Sequence, residues 1–258
     1  GEDPLTPKAQ YVIINELVTL NDTGLQDEDG EYSDWIELYN PGTSAVNLSG
    51  WSLTDDEEQF NRWVLPAITL GAQDYLVIFA SGKNRVPTNG GNLHTNFKLD
   101  SSGEYLALFN ASNQIQDTST FMPTYPRQIA DVSYGQHPAE TGWWFFDTPT
   151  PGAPNEGGAI YEGYVSDVEF SAKRGFYSAP FTLELSSETE GVTFRYTLDA
   201  TPPDVTTGIL YTGPIPISGT STVRVIGYKS GWLPTLVDTQ TYLFLSDVIQ
   251  QAPDNSPP

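Results

Sequence analysis

The chain has 258 residues, 33 acidic against 11 basic, a formal net charge of −22 and no cysteine. Its length allows one large or two ordinary domains, each with its own core. The charge works against phosphate backbones and anionic headgroups, and the missing thiols exclude cysteine catalysis, disulfides and Cys-based metal sites.

Taken in order, residues 1–9 are polar with two prolines, and Tyr11 to Leu20 is a β-branched first strand interrupted by Asn15-Glu16. Asn21 to Glu31 is an acidic loop whose Asp27-Glu28-Asp29-Gly30 supplies short carboxylates and a turn glycine. The second strand, Asp34 to Asn40, alternates: Trp35, Glu37 and Tyr39 point one way, Ile36 and Leu38 the other. Two short strands broken at Gly50 follow, then Tyr75 to Ala80 and a polar loop from Ser81 to Gly91. Thr95 to Leu99 and Tyr105 to Asn110, around Ser-Ser-Gly-Glu, read as a hairpin. Strands near Gln114–Asp117, Asp131–Tyr134 and Trp144–Asp147 complete the first half. Thr148-Pro-Thr-Pro-Gly-Ala-Pro-Asn155 is the strongest punctuation in the chain and marks a domain end. Beyond it, Val168–Ser171, Phe181–Leu185, Val192–Leu198, Pro214–Ile217, Thr222–Tyr228 and Thr239–Phe244 form a second strand series, about seven strands in an antiparallel sandwich. No segment offers a sustained helical period with caps. No apolar run reaches transmembrane length. Gly-Glu-Asp-Pro reads as a cut start and the Pro-rich tail as a linker to a further domain, so the chain is expected to be a fragment.

Four stretches of the first half together resemble the lamin-tail domain of bacterial type: Ile14-Asn15-Glu16, the acidic loop with Asp34 to Asn40, Leu48 to Asp55 and Pro149 to Asn155. The resemblance covers about residues 8–156 and implies an immunoglobulin-like sandwich. The second half resembles the C-terminal β-sandwich of chitobiases and β-hexosaminidases. Its carriers are Phe170-Ser171, Gly175-Phe176-Tyr177, Tyr196-Thr197-Leu198-Asp199 with Pro202-Pro203, Tyr211 to Ile215 and Val223-Arg224-Val225. That family has Gly where Ala200 stands; since alanine is strained at positive φ, the turn is expected to be of another type. The pairing resembles surface proteins of environmental bacteria in which a spore-coat kinase-like domain follows.

Three kinds of chemistry compete. The only histidines, His94 and His137, lie in polar, loop-like stretches without a nucleophile motif and read as exposed. The turn carboxylates, Asp55 to Glu58 included, are expected to be solvated with ordinary pKa values, unsuited to general acid work. Asp27, Asp29, Glu31 and Asp34 offer hard oxygen ligands, which makes calcium the candidate ion; Leu38 occupies the place of an EF-hand's closing glutamate, so the loop is not an EF-hand. Trp232, at an expected exposed turn, and Tyr228 are the candidate sugar-stacking faces, while half of the Trp143–Phe146 run must be core.

The resulting expectation is all-β: two tandem immunoglobulin-like β-sandwich domains. Residues 1–156 form the lamin-tail-like sandwich, 157–164 a linker, 165–245 the second sandwich and 246–258 a tail. The chain is expected to be a non-enzymatic structural or protein-interaction module, extracellular or on the cell surface. Its expected partners are other domains of the same polypeptide or surface proteins, with neither nucleic acid nor membrane insertion. The alternative is a carbohydrate-binding accessory module with a polysaccharide partner, stabilised by calcium.

Overall fold

A computed structural model describes residues 12–87, 91–156 and 158–249. The chain divides into two compact units, Gly1–Ile160 and Tyr161–Pro258. Both are built of strands, as the turn-rich, aromatic-rich composition requires.

The first unit contains β1 (Ile13–Val18), β2 (Trp35–Tyr39), β3 (Val46–Asn47), β4 (Ser52–Thr54), β5 (Trp63–Val64), β6 (Thr69–Leu70), β7 (Tyr75–Phe79), β8 (Leu93–His94), β9 (Leu106–Phe109), β10 (Ile115–Phe121), β11 (Ser133–Gln136) and β12 (Trp143–Phe146), with β13 (Ile160–Tyr161) at the junction. Six strands pair in the order β12-β11-β1-β2-β7-β8, and β10-β9-β4-β5 form the opposing sheet. Ile14, Leu17, Ile36, Leu38 and Ile78 of the larger sheet meet Leu53, Leu106, Leu108 and Phe121 of the smaller, closed by Trp51 and Trp63. Each such aliphatic side chain contributes about 1.5–3 kcal/mol on burial.

The larger sheet is buried on its second face as well. Val18, Trp35 and Phe79 form a separate apolar cluster there, with Leu25 packed against it. The period-two pattern of β2 therefore separates two cores rather than core from solvent. A register shift between Ile14 and Glu16 sets Glu16 directly across from Glu37, so Asn15-Glu16 marks a bulge within β1. The expected hairpin does not form. β8 joins β7 in parallel, whereas β9 pairs with β4 and β10 in the other sheet. The 95–104 stretch crosses between sheets, burying Phe97 and Leu99 as it goes, and Leu106 and Leu108 then enter the core from the strand beside β4.

The second unit contains β14 (Gly163–Tyr164), β15 (Glu169–Phe170), β16 (Gly175–Tyr177), β17 (Phe181–Leu183), β18 (Leu185–Ser186), β19 (Thr193–Thr197), β20 (Ile209–Leu210), β21 (Ile215–Ile217), β22 (Ser221–Tyr228), β23 (Trp232–Leu233), β24 (Asp238–Phe244) and the short helix α1 (Leu245–Ile249). A five-stranded sheet runs β16-β24-β22-β19-β20. Its Phe194, Val223, Val225 and Tyr242 share a core with Leu183, Leu185, Ile215 and Ile217. The sandwich is not wholly antiparallel, because β16 lies parallel to β24 and β14 to β23. Of the expected tail, 246–258, α1 takes up the first positions, and 250–258 lie outside the described residues.

Ala200 corrects one expectation. It sits at φ 64°, in the left-handed conformation that favours glycine. The turn is imposed from both sides. The Asp199 carboxylate accepts bonds from the Thr201 amide at 3.1 Å and hydroxyl at 2.6 Å, and Arg224 donates to the Ala200 carbonyl at 3.0 Å.

Candidate functional site

Two polypeptide segments lie on the second face of the larger sheet, and both are fastened by carboxylates. The closing segment 149–155 returns over β1 and β2. Glu16 accepts a bond from the Ser133 hydroxyl at 2.5 Å and two from the Thr150 amide at 3.2 Å. Glu37 accepts one from the Gly152 amide at 2.5 Å and one from Asn15 at 2.8 Å. Asn155 donates to the backbone carbonyls of Asn15 (3.2 Å) and Gln136 (2.9 Å), and accepts from the Thr150 hydroxyl at 2.9 Å. Proline at 149, 151 and 154 leaves the segment few amides, and Glu16 and Glu37 take two of those that remain.

Both glutamates are 0% exposed. Burial pushes each carboxyl up to about 7, against the donors that favour ionisation; Glu16 raises Glu37 further. Two facing carboxyls are the raw material of acid–base catalysis. Here all four oxygens accept bonds from the fold itself, and neither residue borders a described cavity. The arrangement binds chain to chain.

The acidic loop is fastened by cations and a histidine. Lys83 Nζ lies 2.5 Å from Asp27, 2.7 Å from Asp29 and 3.0 Å from Glu31. Arg85 pairs with Glu28 at 2.6 Å and Asp29 at 2.9 Å. The structure thus brings three of the four expected calcium ligands together, around the chain's own ammonium. Asp34 makes a different set of contacts: it accepts a bond from the Asn21 amide, and burial pushes its carboxyl up to about 6 despite nearby Lys98. Glu28, by contrast, is held well below the usual carboxylate range by His94 and Arg85, which outweigh its desolvation. Ordinary pKa values for these turn carboxylates are therefore corrected in both directions. Among the described residues, no group of three or more His, Asp or Glu is placed to hold a metal ion.

His94 also departs from expectation. It is 0% exposed, within β8, stacked on Phe79 at 5.4 Å. Its Nε2 donates to Glu28 at 3.0 Å, which in the neutral ring leaves Nδ1 to accept from the Ser81 hydroxyl at 2.8 Å. Hydroxyl, imidazole and carboxylate in that order form the skeleton of a nucleophilic relay, and Ser81 borders a cavity of about 420 Å³. The accompanying chemistry is spent elsewhere. The next two amides are taken, Gly82 by the Phe97 carbonyl and Lys83 by the Ser81 hydroxyl itself, so neither is free to stabilise an oxyanion. Glu28 is further held by Arg85 and Asn92. The network anchors the loop. His137 is half-buried and stacks with Phe146.

Trp232 lies in β23 rather than on an exposed turn. It is half-buried, its six-membered ring lies against the open α-carbon of Gly163, and Lys229 Nζ sits 4.0 Å from a ring centroid. Tyr228 ends β22, opposite Thr193, and is half-buried. Of the Trp143–Phe146 run, Phe145 and Phe146 are buried, and Trp143 stacks on Tyr134 at 5.4 Å. Among the described residues no helix is long and apolar enough to cross a membrane.

The clamp around Glu16 and Glu37 escaped the sequence reading because it depends on pairings up to 140 residues apart. Its signal was a single glutamate inside each of two apolar strands.

Comparison with known families agrees with this architecture. The family model of the Lamin Tail Domain matches residues 6–122, and that of the Chitobiase/beta-hexosaminidase C-terminal domain matches residues 172–239. The first match ends before β11, β12 and the closing segment, which complete the larger sheet and the clamp. No curated protein matches the chain. The chain carries a lamin tail domain followed by a chitobiase/beta-hexosaminidase C-terminal domain, both immunoglobulin-like β-sandwiches.

Proposed function

We propose that the chain is a non-catalytic structural and protein-interaction module of a surface-attached, multidomain bacterial protein. Its partners would be other domains of that polypeptide or neighbouring surface proteins. The observation carrying this reading is where the titratable groups go. Glu16, Glu37, Asp27, Glu28 and His94 are the strongest chemical groups in the first unit, and each is bonded to another part of the same fold. A site built for turnover leaves a nucleophile, a base and an oxyanion donor facing one vacant position; these groups face one another. Dense internal bonding suits a part that must hold its shape while spacing others. The surface location rests on the resemblance of this pairing of domains to bacterial surface proteins.

The test combines turnover and location. Panels of chromogenic esters and glycosides should give no rate above buffer, and antibody to the chain should label intact cells. Hydrolysis that disappears in Ser81→Ala or His94→Asn would overturn the non-catalytic reading. Labelling that appears only after lysis would overturn the location.

A further inference from the structure

Between the two fastened segments lies a cleft of about 360 Å³. Val18 and Trp35, each 1% exposed, form its covered floor in the sheet, and Leu25 from the acidic loop with Pro149 and Pro151 from the closing segment form its accessible walls. Its polar neighbours are already committed. Asn21 donates to the carbonyls of Leu25 at 2.7 Å and Ser33 at 2.8 Å, and accepts from the Gly24 amide at 3.1 Å. The Asp131 carboxylate accepts from the amides of Asp22 and Thr23 and from the Thr23 hydroxyl. An incoming sugar would find few hydrogen-bonding groups free; an apolar side chain would find contact on several sides. The walls are set in advance, because the prolines flank Thr150 and Gly152, whose amides are tied to Glu16 and Glu37. A preformed cleft spares a ligand the cost of ordering it.

Asn21 also lines the neighbouring cavity, whose wall carries Asp22, Glu31 and Asp34 beside Lys98, and Glu31 shares the one ammonium of Lys83 with Asp27 and Asp29. The apolar cleft is therefore flanked by net negative charge, on a chain with three times as many acidic as basic residues. We propose that this cleft docks a basic segment of a partner protein, which inserts one apolar side chain between Leu25 and the Pro149–Pro151 wall while an adjacent lysine or arginine reaches the Asp22–Asp34 cavity. The apolar anchor gives the site its selectivity and the charge its approach. This proposal rests on the reading of the chain as an interaction module and names the kind of partner.

The experiment uses the full chain to select from a randomised linear peptide library, followed by affinity measurements. Selected peptides should carry an apolar residue next to lysine or arginine. Replacing that apolar residue by serine should weaken binding about tenfold or more. Leu25→Glu should remove most of this preference although it adds negative charge, and Asp22→Asn, at an exposed position, should weaken every basic peptide while preserving it. Leu25→Glu must retain the wild-type tryptophan emission; if it does not, Leu25→Ser serves in its place. Equal affinity for apolar and serine peptides would reduce the attraction to charge alone and overturn the proposal, as would selection of acidic or uncharged peptides, or of none. Those results leave the turnover test untouched, so the docking site and the non-catalytic reading fail separately.

Discussion

Glu16 and Glu37 make stability depend on pH in an unusual direction. Most folded proteins lose stability on mild acidification because their carboxylates are better stabilised when folded. In this pair the reverse holds, since burial raises both carboxyls from 4.5 to about 7. The folded chain therefore binds more protons than the unfolded one between those values. The pair's contribution to stability is fully present below about 4.5 and is lost as pH rises through 7. For one group, 1.36 kcal/mol per tenfold gives about 3 kcal/mol across the window; the pair gives less than twice that, because the two titrate together. Asp34, raised to about 6, adds in the same sense. Asp27 and Asp29, lowered by Lys83 and Arg85, act oppositely but only in more acid solution. The assay is urea unfolding between pH 5 and 8, followed by tryptophan fluorescence. Five of the six tryptophans, Trp35, Trp51, Trp63, Trp143 and Trp144, belong to the first unit and report its unfolding. The wild-type midpoint should rise from pH 8 to pH 5, and Glu16→Gln and Glu37→Gln should each flatten the rise. A midpoint that is level or falls toward pH 5, or a slope untouched by both substitutions, would show that Glu16 and Glu37 do not set this dependence.

Three further predictions follow from single sites. Ala200→Gly relieves the left-handed alanine and should stabilise the second unit by about 0.5–1 kcal/mol, read by near-UV dichroism during unfolding; no change would mean the turn is unstrained. Lys83→Met frees Asp27, Asp29 and Glu31 of their shared ammonium, so millimolar calcium should raise its melting midpoint, relative to EDTA, by more than it does for wild type. Equal shifts in the two proteins would show that ion and ammonium do not compete for these carboxylates. Trp232→Ala removes a half-buried ring from against Gly163 and should destabilise the second unit by about 1–3 kcal/mol. A glycan array should bind the variant and wild type alike, and glycan binding lost in the variant would restore Trp232 as a stacking face.

What the sequence shows of this fold is what local pattern can carry. β2 is legible from its period of two and β7 from its unbroken apolar run between turn signals, and the 148–155 punctuation falls just before the division at Ile160. The sites are less legible because they are assembled at long range. Lys83 meets Asp27 across 56 positions, His94 meets Glu28 across 66, and Glu16 meets Thr150 across 134. His94 reads as a loop residue because its neighbours are polar, yet two residues of β8 suffice to bury it beside Phe79. Ala200 shows the limit of propensity. The Asp199 carboxylate and Arg224 fix a turn that the residue itself disfavours.

The first unit uses its buried carboxylates to hold its closing segment. Amide hydrogen exchange at Thr150 and Gly152 measures that hold at the two bonds themselves. Both lie in a Pro- and Gly-rich stretch outside any strand, where exposed amides exchange freely, yet each donates to a fully buried glutamate. We predict that both exchange as slowly as the amides of β1 and β2, and that Glu16→Gln and Glu37→Gln release Thr150 and Gly152 respectively. Exchange at unprotected loop rates in the wild type would mean that Glu16 and Glu37 do not hold the segment.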